Sequence, residues 1–149
     1  MQISLIITTY NRPDALLLVL KSVECQSLVP DEVIIADDGS NEHTQELIDN
    51  FITHSSINII HSYQNDKGFR AAKSRNKAIS KSSGDYIILI DGDMILHPNF
   101  IYDHKKNAQN GCFTQGGRVL LSKKKSDEVF EGGNLAINIL SKGLSNRKN

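Results

Sequence analysis

Cysteine is scarce in this sequence, charge of one sign is balanced by the other, and long apolar runs are missing. Each shortage excludes a class of protein. Cys25 and Cys112 lie far apart without metal spacing, so neither a disulfide framework nor a zinc motif is readable, and a reducing, cytoplasmic compartment is expected. Both are expected to be ordinary half-buried thiols. Lys and Arg number 17 and so do Asp and Glu; no global field marks nucleic acid as a partner. No apolar stretch approaches the roughly 18–20 residues of a membrane span. The opening "MQISLIITTYN" turns polar too soon for a signal peptide. Any membrane association would then be peripheral, at the inner face of the plasma membrane. At 149 residues the chain fits one domain that buries a core without covalent help.

What is present is an alternation. Short runs rich in Ile and Val, "ISLIITT" from Ile3, "EVIIA" from Glu32, "INIIHS" from Ile57 and "YIILI" from Tyr86, predict strands buried on both faces. Between them, "NRPDALLLVLKSVECQ" puts Pro13 at a helix start and spaces Leu16, Leu17, Leu20 and Val23 along one side. "SNEHTQELIDNFI" offers Ser40 and Asn41 as caps, "FRAAKSRNKAISKSSG" predicts a helix stopped at Gly84, and "HPNFIYDHKKNAQNG" one running from Pro98 to Gly111. The order β-α-β-α-β-α-β-α predicts an α/β fold, an open, mostly parallel sheet with helices on both faces. After Gly111, "CFTQGGRVLLS" suggests one more strand and "KKKSDE" a solvated stretch, while "GGNLAINILSKGLSNRKN" shows no clear packing.

In open α/β sheets ligands sit beyond the carboxyl ends of the strands. Here those ends read "TTYNRP", "DDGS", "YQNDKGFRAAKSRN" and "DGDM", so four polar loops should line one crevice. Asp91-Gly92-Asp93 suits either a solvated turn or a hard divalent cation shared with phosphates. On extended chain both carboxylates would face the same side. An EF-hand is excluded, because Ile95, Leu96 and Tyr102 occupy its key positions. "DDGS" is either a turn with a helix cap or an acid that reads donor groups of a base or ribose. Lys67, Arg70, Lys73 and Arg75 surround a helix start, where anions are favoured; of these Arg70 is the candidate diphosphate ligand. His97 suits a surface or capping role beside Pro98.

From Ser4 to about Phe100, these motifs in this order resemble the N-terminal half of a family 2, GT-A fold glycosyltransferase. The resemblance implies a nucleotide-sugar donor, usually a UDP-hexose, a saccharide or lipid-linked acceptor, and Mn2+ or Mg2+. It implies that Asp93 binds the metal, that Asp91 contacts the ribose or the metal shell, and that Asp38 reads the base. Thr8 and Tyr10 would line that pocket, Arg70 would support base and phosphates, and Asn11 and Arg12 belong to the matching loop. Bacterial cell-surface polysaccharide or lipopolysaccharide synthesis is the common setting. Such enzymes invert the anomeric carbon with a base from a later Glu-Asp motif, and no such pair is found here. Asp127, Glu128 and Glu131 are the only acids beyond Asp103 and sit in what reads as a solvated loop. Residues 1–112 are thus expected to form the donor-binding core, and 113–149 to begin an acceptor-side region in a truncated chain lacking its base. A non-catalytic nucleotide-sugar binding module is the alternative. A phosphotransferase would want its acid pair after the first strand, which ends in Thr8-Thr9-Tyr10, and a nucleotidyltransferase a glycine-rich basic loop there.

Overall fold

The structure, a computed structural model, describes residues 1–137 and 140–145. Four parallel strands, β1 (Ile3–Thr9), β2 (Glu32–Asp37), β3 (Ile59–Tyr63) and β4 (Tyr86–Asp91), form one sheet in the order β3-β2-β1-β4. The connections are α1 (Pro13–Glu24), α2 (Glu42–His54) and α3 (Ala71–Ile79), with α4 (Phe100–Asn107) following β4. The predicted alternation is the observed one.

Side-chain alternation along the strands divides the core in two. Ile3, Leu5, Ile7, Val33, Ile35, Ile88 and Ile90 face Leu16, Val19, Leu20 and Val23 of α1, Ile48 of α2 and Ile101 of α4. Ile6, Ile34 and Ala36 point the other way, toward Ala78 of α3. Each large side chain hidden in this way contributes on the order of 1.5–3 kcal/mol. Pro13 opens α1, as expected, and Asn41 caps α2 by accepting the Thr44 N–H.

Several expectations give way. The run "YIILI" reads as buried on both faces, yet Ile87 and Leu89 are 37% and 51% exposed. They share the face of Ser4 and Ile6 in the register with β1, and α3 packs chiefly over β1, β2 and β3. Among the described residues no strand pairs with the outer edge of β4. β3, at the opposite edge, is buried fully only at Ser62. Helix α3 ends at Ile79, well before Gly84, and α4 at Asn107, before Gly111. "CFTQGGRVLLS" yields only the two-residue β5 (Leu120–Leu121), paired antiparallel with β6 (Leu144–Ser145). "KKKSDE" is helical: α5 (Lys123–Phe130) starts at Ser122, which caps the Lys125 N–H, and buries Val129. The expectation for the final stretch falls partly on residues 138–139 and 146–149, outside the described residues. Cys25 and Cys112 are exposed rather than half-buried. Among the described residues no helix is long and apolar enough to cross a membrane.

One half-buried contact makes stability depend on pH. The Tyr86 hydroxyl and His104 Nδ1 are 3.0 Å apart, and the Phe100 ring stands edge-on to the imidazole. Burial pushes the His104 pKa down, against a smaller opposing pull from Asp103, which keeps the ring neutral and able to accept the Tyr86 proton. The unfolded ring takes up a proton near pH 6.5, the folded one only at lower pH. The contribution is therefore whole above the unfolded value and is lost as pH falls through it toward the folded one. The melting temperature should drop between pH 7.5 and 5.5, and His104→Gln should flatten that part of the profile; an unchanged slope in the variant would contradict this assignment.

Candidate functional site

The strand order reverses direction between β1 and β4, which makes their carboxyl ends the switch point where open α/β sheets bind ligands. Thr8 and Asp91 are register partners there, and Thr9 and Asp37 align on the other side of β1. A pocket of about 200 Å³ opens at this end, lined by Thr8, Thr9, Tyr10, Arg12, Asp91, Gly92 and Asp93. The first and fourth loops thus meet as the strand-end rule requires.

The chain turns immediately after Asp91, so the extended-chain geometry expected of Asp91-Gly92-Asp93 does not form. The Gly92 N–H donates to the Thr8 carbonyl at 2.8 Å and Met94 N–H closes onto the Asp91 carbonyl at 3.2 Å. A Cβ at position 92 would lie 2.7 Å from that Thr8 oxygen, so the turn requires glycine. The two acids consequently differ. Asp91 Oδ1 accepts a 2.6 Å bond from Arg75 Nη2, whose Nε donates to Thr8 Oγ1 at 2.9 Å. Asp93 is exposed and has no hydrogen-bond or ion-pair partner among the described residues.

The second and third loops form the neighbouring wall. Asp37 is wholly buried and structural: its carboxylate accepts the N–H groups of Gly39 (3.1 Å) and Ser40 (2.8 Å) and faces His61 Nε2 at 2.9 Å. Burial raises its pKa, but the hydrogen bonds from His61 and Ser40 outweigh that and hold it below the usual carboxylate range. Asp38, 3% exposed, ties the two loops together. Its Oδ1 accepts from Gln64 Nε2 at 2.5 Å and its Oδ2 from the Arg70 N–H at 2.6 Å. The Arg70 side chain donates through Nη2 to the Asn65 carbonyl, while its buried Nε has no acceptor among the described residues. Gly39, at φ 98°, lies so near Asp66 that a Cβ would sit 2.4 Å from its backbone nitrogen.

Tyr10 reaches across to the same loop, its hydroxyl donating to Asp66 Oδ2 at 2.9 Å. That bond to a carboxylate holds the Tyr10 pKa above its ordinary value. Asp66 in turn is kept below the usual range by the Gly68 N–H and then by Tyr10. Phe69, beside Arg70, is 93% exposed. Asn11 takes a left-handed conformation (φ 50°) and joins the first two loops. Its N–H donates to Ser40 Oγ at 3.0 Å and its Oδ1 accepts the Asn41 N–H at 2.8 Å. Arg12 stays exposed, within reach of Asp14 at 3.4 Å. His97 Nδ1 accepts the Asn99 N–H at 3.3 Å, a local turn contact.

All eight candidate residues, Thr8, Tyr10, Asn11, Arg12, Asp38, Arg70, Asp91 and Asp93, therefore stand on the four loops at one end of the sheet or at their strand ends. Arg75 was only one cation among four in the sequence; the structure makes it the one bonded to Asp91. A second, larger cleft of about 770 Å³ adjoins Asp93 and Arg12 and runs between α4 and α5 past Leu96, Phe100, Val119 and Val129. Helix α5 presents Ser126, Val129 and Phe130 to it, and none of Asp127, Glu128 or Glu131 lines it. Glu128 instead pairs with Lys125 at 3.2 Å.

Residues 4–129 match the Glycosyl transferase family 2. The chain belongs to that family. This family 2 chain is 34% identical over 103 residues to the hyaluronan synthase of Pasteurella multocida, an alignment covering 68% of the chain and 10% of the synthase. Among solved structures, it resembles the mannosyltransferase PcManGT from Pyrobaculum calidifontis in complex with GDP-Man and Mn2+ (TM-score 0.63, 19% identity, 70% of this chain and 31% of that one). It also resembles S. aureus TarS 1-349 in complex with UDP-GlcNAc (TM-score 0.59, 24% identity, 71% and 30%). At these identities the structural likeness establishes the GT-A fold. The chain spans a third or less of the length of each of these three relatives.

A divalent cation is the cofactor this family implies, and the donor set fits one of a particular kind. Among the described residues no three His, Cys, Asp or Glu side chains gather to form a closed metal cage. One free, exposed carboxylate beside a polar pocket is instead what Mg2+ or Mn2+ uses when substrate phosphates complete the coordination.

Proposed function

We propose that this chain holds a nucleotide-sugar, a UDP-hexose, for transfer of the sugar to an acceptor hydroxyl with inversion, in the synthesis of a bacterial surface polysaccharide or lipopolysaccharide. The observation that carries this reading is the meeting of Tyr10, Asp91 and the unpaired Asp93 in one crevice at the β1/β4 switch point, beside the loops after β2 and β3 that Asp38 and Arg70 hold together. Family membership and the nucleotide-sugars bound by PcManGT and TarS support it. In this reading Asp38, already held at both oxygens, presents a fixed carboxylate edge to the base, with Thr8 and Tyr10 beside it. Asn11 and Arg12 shape the loop that faces the phosphates, and the spare Nε–H of Arg70 faces base or phosphate. Asp93 would hold Mn2+ or Mg2+, which when bound supplies Lewis-acid stabilisation of the departing diphosphate. Residues 1–112 form the donor-binding unit and 113–149 begin the acceptor side, facing a saccharide or lipid-linked acceptor. The work would be cytoplasmic, with peripheral attachment to the membrane.

A second reading has its own support. A general base must reach the acceptor proton, and none of the three acids beyond Asp103 lines the cleft beside Asp93. A non-catalytic nucleotide-sugar binding module needs no such base. Calorimetric titration of the chain with UDP, with and without Mn2+, tests the shared binding claim; absence of Mn2+-dependent binding would remove both readings. Assays of UDP-sugar hydrolysis and transfer then separate them, since binding without turnover favours the module. Asp38→Ala should weaken UDP by about tenfold, roughly the worth of one lost polar contact, while leaving the Mn2+ requirement intact.

A further inference from the structure

Arg75 has no role in the donor-site reading above. It lies on α3, whose small buried residues Ala71, Ser74 and Ala78 let the helix settle closely on the sheet. From there one planar guanidinium reaches two adjacent strand ends, donating Nε to Thr8 and Nη2 to Asp91. Thr8 and Asp91 are already register partners, so the fork fixes both side chains at the floor of the pocket. Arginine is suited to this because its donors are held in a rigid plane, whereas lysine offers only a point charge.

We propose that Arg75 is a positioning residue that withholds Asp91 from the metal and thereby makes divalent-cation binding depend on the bound nucleotide. The inference rests on the donor-site reading above. A guanidinium 2.6 Å from Asp91 Oδ1 occupies that oxygen and sets a positive charge beside any cation approaching the carboxylate. Asp93 is then the only unopposed carboxylate in the pocket among the described residues. A single carboxylate holds Mn2+ weakly, and the diphosphate oxygens must supply the rest of the shell. Nucleotide and metal consequently bind with positive coupling, each raising the affinity of the other by the same factor.

The test uses the electron paramagnetic resonance signal of free Mn2+, which reads metal binding directly and needs no turnover. In the unaltered chain, Mn2+ should remain free until UDP is added. Arg75→Gln removes the charge and should raise nucleotide-free Mn2+ affinity by about tenfold or more, within the usual span of coupling energies. Arg75→Lys should restore most of the nucleotide dependence, which a merely structural role would not do. Adding Asp91→Asn to Arg75→Gln should abolish the new nucleotide-free binding. Should Arg75→Gln fail to fold, the unaltered chain still tests the claim, because tight Mn2+ binding without UDP would show that Arg75 withholds nothing. Tight nucleotide-free Mn2+ binding by the unaltered chain, or unaltered nucleotide-free affinity in a folded Arg75→Gln, overturns the role of Arg75 and leaves the donor site standing. Failure of the unaltered chain to bind UDP with Mn2+ would instead overturn the donor site itself.

Discussion

Asp93→Ala should lower the affinity for UDP in the presence of Mn2+ by about 100-fold or more, roughly 3 kcal/mol, and leave UDP binding without metal unchanged. The size of the effect follows from the division of labour between the two acids. Asp91 is engaged by Arg75, so no neighbour substitutes when Asp93 is lost, and among the described residues no third ligand stands close. Because Asp93 is exposed and bonded to nothing among the described residues, its removal should not alter the melting temperature. Calorimetry with UDP at fixed Mn2+, alongside a thermal melt, separates site loss from unfolding. Undiminished Mn2+-dependent binding by Asp93→Ala would remove the metal assignment.

Asp37→Ala should have the largest effect on stability, about 3–5 kcal/mol, equivalent to about 8–15 °C in Tm. Asp37 sits wholly buried at the end of β2 and is the acceptor for the Gly39 and Ser40 N–H groups and for His61. Alanine would strand these donors where water cannot reach them. It would also release the turn that sets Asp38 against Gln64 and Arg70, so nucleotide affinity should fall together with stability. Asp37→Asn retains an acceptor oxygen for the turn but meets His61 with the wrong donor pattern, and should fall between the two. A denaturant melt of Asp37→Ala within 1 kcal/mol of the unaltered chain, about the scatter of an ordinary surface substitution, would show that the turn is held by other means. The adjacent acids thus differ in kind: Asp37 holds the loop, and Asp38 is carried by it.

That distinction could not be read from "DDGS", because two neighbouring acids after a strand carry no sign of which one the turn consumes. The alternation of strands and helices was legible because β-branched runs and capped, periodic segments are local signals. Asn41 as a cap and Pro13 as a helix start needed nothing beyond their own neighbours. The face of β4 was not legible, since "YIILI" has the same apolar continuity whether or not a helix covers Ile87 and Leu89. Helix α5 was hidden by its composition: three lysines mask a segment whose only apolar anchors are Val129 and Phe130. Arg75 was unremarkable for a related reason. A cation in a basic run shows its meaning only when the fold brings Asp91, 16 residues away, within 2.6 Å.

The left-handed Asn11 has a consequence for how the pocket meets a ligand. Its two bonds to Ser40 and Asn41 clasp the loop after β1 to the loop after β2, and Tyr10 clasps the same loop to Asp66 beyond β3. Three loops so fastened behave as a rigid rim rather than as independent flaps. Much of the ordering that a flexible site would demand at the moment of binding is already complete in the folded chain, and affinity is correspondingly less sensitive to the entropy of the loops.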